Sequence, residues 1–132
     1  YCGNYYGTPK AYVEKQLAEG KNVILEIEIQ GALLVKEKLP ETLLLFVTPP
    51  DAEELKRRLV SRGTETMEEI EARLKRAIDE APYMADYDYI VLNDEVEKCV
   101  DKIHDLVDAA KHSANQNCEF IEKMKKELAE LK

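Results

Sequence analysis

The stretch TLLLFVTPPD, residues 42 to 51, constrains the fold more than any other part of the chain. Its apolar run LLLFV, 43 to 47, offers an apolar side chain to whichever side of a strand is considered, and it stops at Pro49-Pro50. That is far short of the roughly 20 residues a membrane-spanning helix needs. The pattern is that of a parallel strand buried on both faces. Such a strand cannot lie at a surface, so the rest of the chain has to supply covering layers.

The flanking segments fit that demand. NVILEIEIQG, residues 22 to 31, is dense in β-branched side chains and reads as a strand. Val23, Leu25, Ile27 and Ile29 form one face, with Ile24, Glu26, Glu28 and Gln30 on the other. YDYIVLND predicts a third strand over 88 to 92. Thr8-Pro9 reads as a cap and first residue of a helix running to about Gly20, and a short helix is expected over 32 to about 39. Asp51 with Glu54, and Thr66 with Glu69, have capping-box spacing. They open helices expected to end at Gly63 and at about 85. Asp94 is expected to cap a last helix of the domain, to about 112. Helices alternating with strands in this way predict an α/β fold with a parallel sheet, whose ligands gather at the carboxyl ends of the strands. Those ends are 28 to 30, 48 to 51, and Asn93-Asp94.

Bulk properties narrow the partners. A chain of 132 residues, 45% hydrophobic and 35% charged, is the size of one soluble domain. Its formal charge of -8 disfavours a surface built for nucleic acid or an anionic membrane. Cys2, Cys99 and Cys118 have neither zinc-site nor disulfide-scaffold spacing, which fits a reducing, cytoplasmic setting. No signal or transit pattern is present. In the tail, 113 to 132, Phe120, Ile121, Met124, Leu128 and Leu131 share a helical stripe, expected to dock on the chain's own domain.

Within the stretch LKRRLVSRGTETMEEIEARL, Arg58 and Arg62 lie four apart on one helix face, and Arg73 follows the Gly63 turn. Three guanidiniums around such a turn can grip an anion, since their planar forks match phosphate oxygens. Spacing alone favours ordinary surface pairs instead, Glu54 with Arg58 and Glu69 with Arg73, and makes the GTET turn a simple connector. Glu26 and Glu28 stand at the ligand end of a strand, where carboxylates more often face solvent than a ligand. Their spacing does not make a zinc site, and His104 and His112 lie elsewhere. No nucleophile with a nearby base stands out.

Four segments in order, GNYYGTP, LEIEIQGA, VTPPDAEELKRRLVSRGTET with the later EARL, and YDYIVLND, together resemble guanylate kinase over residues 1 to about 112. The resemblance implies a three-layer P-loop-kinase-like parallel sheet flanked by helices, and transfer of a phosphoryl group from ATP, with Mg²⁺, to GMP. It assigns Tyr6 to the GMP phosphate and Thr8 to the guanine. Glu28 would accept from guanine N1–H and the exocyclic amine, with Glu26 beside it. Arg58, Arg62 and Arg73 would surround the phosphates, and Asn93 would reach the ATP adenine. It further implies part of a GMP-binding region at 1 to 31, a core at 32 to 112 with a lid at about 60 to 75, and an appended tail; no metal ligand falls in the chain. A homo-oligomer is left open.

The phosphate-binding loop of such enzymes, G-x-x-x-x-G-K-[ST], does not occur in this sequence. The segment YCGNYYGT also lacks an initiator methionine and carries glycines of the kind wanted beside a ligand. The expectation is therefore a C-terminal portion of a longer enzyme, inactive by itself, with an incomplete sheet. The alternative is a guanylate-kinase-like scaffold module that binds phosphopeptides.

Overall fold

The computed structural model describes residues 10–131. Two parallel strands form the centre, β1 at Leu45–Thr48 and β2 at Tyr89–Leu92, with Leu45 opposite Tyr89 and Thr48 opposite Leu92. The described residues also form six α-helices: α1 Lys10–Ala18, α2 Ile29–Lys38, α3 Ala52–Ser61, α4 Met67–Glu80, α5 Val96–Lys111 and α6 Cys118–Ala129. The α/β class and the parallel pairing are as the sequence predicts.

The register of the two strands is fixed at both ends. At the start, the Asp88 carboxylate accepts from the Leu44 amide at 2.8 Å and pairs with Lys36 Nζ at 3.3 Å. The amides of Asp88 and Tyr89 donate to the Leu44 carbonyl at 3.0 and 3.2 Å. At the far end, Asn93 N–H donates to the Thr48 carbonyl at 2.7 Å. Apolar burial centres on the same place: Leu44 and Val91 are buried with Ile29, Ala32, Ile70 and Cys99. Phe46 meets Tyr87 edge to face, with centroids 5.1 Å apart, a geometry aromatic quadrupoles favour.

Local signals set the helices around the α3–α4 turn. The Asp51 carboxylate accepts from Glu54 N at 2.7 Å, and Thr66 Oγ1 accepts from Glu69 N at 3.2 Å. Each satisfies an amide that the first helical turn leaves without a partner. Gly63, at φ 67°, takes the left-handed conformation that stops α3. Expected to reach about 85, α4 becomes a 3-10 helix over Ala81–Asp86, where Pro82 has no N–H to continue the α ladder.

Three expectations are corrected. Residues 21 to 28 form no strand; the helix expected from 32 begins at Ile29. A strand exists only where a neighbour takes up its backbone hydrogen bonds, and no described residue pairs with this segment. The sheet among the described residues thus has two strands, not three. The alternation holds only in part: Ile29 is buried and Ile24 85% exposed, but Ile27 is exposed and Glu28 half-buried. Asp94 is not the cap of α5: the cap position is Glu95, which makes no side-chain cap bond. Asn93 is still held by the sheet, so the chain turns into a helix only after clearing it.

The third correction concerns α6. Phe120, Met124, Leu128 and Leu131 are exposed, and among the described residues the helix packs mainly on the 3-10 helix Ala114–Asn117. That short helix is held in place by Ser113, which caps Gln116 N at 3.2 Å, and by Asn117 Nδ2, which donates to the carbonyls of Lys111 and Ser113. No described helix is long and apolar enough to cross a membrane.

Candidate functional site

The N-terminus of α2 carries a carboxylate held by the backbone. Glu28 is the N-cap, with φ -74° and ψ 170°, and its Oε2 accepts from Gln30 N at 2.9 Å while Oε1 accepts from Gly31 N at 2.6 Å. Both oxygens retain unused lone pairs, because a carboxylate offers about four acceptor sites. Gly31 permits the close approach. A Cβ there would lie 3.2 Å from Glu28 Oε1, tighter than ordinary contact. Burial raises the Tyr87 hydroxyl above its usual pKa, and the charges of Glu28 and then Glu80 add to the shift. The cap of α2 and the end of α4 therefore both bear on the start of β2.

Arg58 lies on α3 and Arg73 on α4, two helices that pack against each other across Gly63, with Arg62 just past the end of α3. Arg58 Nε is 2.8 Å from Glu54 Oε1, the pair that spacing suggested. Glu54 also takes both ends of the Arg57 guanidinium. The hydrogen bond to Arg57, with that to Arg58 adding to it, lowers the Glu54 carboxyl from 4.5 to about 2. Arg62 follows α3 as its C-cap, is exposed, and has no partner among the described residues. Arg73 does not pair with Glu69. Its Nη2 is 2.8 Å from Oε1 of Glu65, within the turn.

Sequence reasoning missed Glu65, Gly31 and Tyr87. Eight positions separate Glu65 from Arg73, which is no helical neighbour spacing, while Glu69 at i-4 was the obvious partner. Gly31 did carry a usable signal: a glycine three residues after an acidic cap, inside a helix, calls for a reason.

The sequence model of the guanylate kinase family matches residues 1–110. The chain belongs to the guanylate kinase family. It is 53% identical over 109 residues to guanylate kinase of Lactococcus lactis, covering 83% of this chain and 53% of that protein. With guanylate kinase of Caldanaerobacter subterraneus the identity is 48% over 124 residues, 94% of this chain and 60% of the relative. With that of Clostridium perfringens it is 55% over 109 residues, 83% and 50%. The chain spans about half the length of the curated relatives it matches.

Against the guanylate kinase expectation, Tyr6 and Thr8 lie outside the described residues, as does the Thr8-Pro9 cap. Glu26 is exposed and Asn93 half-buried at the carboxyl end of β2. Among the described residues, no hydrogen bond or ion pair joins Arg58, Arg62 or Arg73 to one another, to Glu28 or to Asn93. A hollow of about 420 Å³ on α3 is lined by Glu53, Lys56, Arg57, Val60 and Ser61. Another of about 290 Å³ lies where α5 meets β2. Neither includes an assigned residue. Among the described residues, no group of three or more His, Cys, Asp or Glu side chains could hold a metal ion by itself; Mg²⁺ accompanying a nucleotide needs only one or two protein carboxylates beside the phosphates.

Proposed function

We propose that this chain carries the guanine-recognition and phosphate-gripping residues of a cytoplasmic guanylate kinase, which transfers the γ-phosphoryl group of ATP to GMP. The observation that carries the reading is Glu28: a carboxylate held by two backbone amides, half-buried at the start of α2, in a member of this family. Guanine presents N1–H and an amino group along one edge, where adenine has an acceptor at N1. A fixed carboxylate therefore attracts one base and is left facing a lone pair by the other.

In the reaction, an oxygen of the GMP phosphate forms a bond to the γ-phosphorus as the bond to the bridging oxygen of ATP breaks, and ADP departs with that electron pair. Negative charge spreads over the equatorial oxygens. Donors already in place lower the barrier because they need no reorientation at that moment. We assign that work to Arg58, Arg62 and Arg73, on a lid at about 60 to 75. Tyr6 would hold the acceptor phosphate, Thr8 the guanine with Glu28, and Glu26 the acidic position beside them. Asn93 would contact the adenine. Mg²⁺ would arrive with ATP and neutralise charge on its phosphates. The regions 1 to 31 and 32 to 112 then serve acceptor and core, with 113 to 132 appended.

The test uses the protein from the complete reading frame containing this chain, with ADP release as the readout. GMP should support turnover and AMP should be at least about a hundredfold poorer in kcat/KM. Residues 1 to 132 alone should release no ADP. Binding of a phosphopeptide without any GMP-dependent ADP release would overturn the proposal in favour of a scaffold module.

A further inference from the structure

We propose that Glu65 is a positioning residue for Arg73, fixing one end of that guanidinium so that the other can meet a phosphate; this rests on the function proposed above. Glu65 stands between the left-handed Gly63 and the Thr66 cap, just before α4 begins. From α4, Arg73 reaches back toward the helix N-terminus, the direction in which long helical side chains run. The two meet at 2.8 Å between Glu65 Oε1 and Arg73 Nη2.

Burial separates this pair from a surface ion pair. The Glu65 side chain is only 10% exposed, while that of Arg73 is 54% exposed. The other carboxylate oxygen, Oε2, is buried with no hydrogen-bond partner. A buried carboxylate is costly to keep, and one that tied the turn together would spend both oxygens on backbone amides, as Glu28 does. Among the described residues, Glu65 pairs with Arg73 alone. The guanidinium is thus anchored on its inner side and keeps outward N–H donors, since an arginine carries five of them in a rigid fork. A donor group held in this way loses less freedom when a phosphate arrives.

The experiment is a double-mutant cycle in the protein from the complete reading frame, reading kcat, KM for GMP and the thermal midpoint. Glu65→Gln should lower kcat about tenfold with KM for GMP changed less than about twofold, as befits a contact that matters in the transition state. In an Arg73→Ala background the same change should cost nothing further. Glu65→Asp, which keeps the charge, should recover part of the loss, and it stands in if Glu65→Gln does not fold. An unchanged kcat in Glu65→Gln, or an undiminished loss in the Arg73→Ala background, would overturn the inference while wild-type turnover keeps the functional reading. Absence of GMP-dependent turnover in the wild type would overturn both.

Discussion

Two ends of the molecule hold charged groups by opposite means. At the start of α2, the carboxylate of Glu28 is gripped by amides two and three residues away, so the backbone itself sets its position. Around the α3–α4 turn, the guanidiniums of Arg58 and Arg73 are gripped by other side chains, Glu54 and Glu65. A carboxylate fixed by its own helix end needs only that helix to be formed, while a guanidinium fixed by another side chain needs both side chains to keep their rotamers. The first arrangement is rigid wherever α2 is folded. The second depends on rotamers and is easier to perturb.

The largest expected effect comes from removing the rigid group. Glu28→Ala should lower kcat/KM for GMP about a hundredfold or more, because two charge-assisted hydrogen bonds are lost together. Steady-state rates with varied GMP check this, and an unchanged KM would detach Glu28 from the base. Next comes Gly31→Ala, which presses a methyl against the carboxylate without touching its charge. KM for GMP should rise about tenfold while the thermal midpoint holds or rises slightly, since alanine is the better helix former. A fall in the midpoint with KM unchanged would break the comparison.

A smaller effect is electrostatic. Glu54 should titrate near pH 2 by carboxyl NMR, and Arg57→Ala should move it back toward 4.5, Arg58 remaining. Because the folded value is depressed, the stability it contributes is present above the ordinary carboxyl value and is lost as pH falls toward 2. Smallest is Tyr87. Its folded pKa is raised above 10, so its contribution is present below the unfolded value and fades as pH climbs through the folded one. Near-ultraviolet absorbance should show a late tyrosine titration, moved slightly earlier by Glu28→Gln.

What the sequence disclosed follows the same division. Asp51, Gly63 and Thr66 act within a few residues of themselves, so their roles were legible from spacing. The run ending at Pro49-Pro50 announced β1 by composition but not its burial on both faces, since Val47 is 46% exposed and no residue of β1 is fully buried. Residues 21 to 28 were misread because alternation specifies which side faces inward but cannot supply a pairing neighbour. Arg73 was given the wrong acidic partner because the correct one lies off the helix, beyond the turn. Motif resemblance nominated Glu28, yet the amides that hold it emerged only when the helix proved to start three residues earlier than expected.

The double pinning of β1 to β2 has a mechanical result. Asp88 latches the strands at one end and Asn93 at the other, so the excursion made by α3 and α4 leaves and returns through anchored posts. It is mounted like a handle on a closed drawer, with both of its feet bolted to the same short frame.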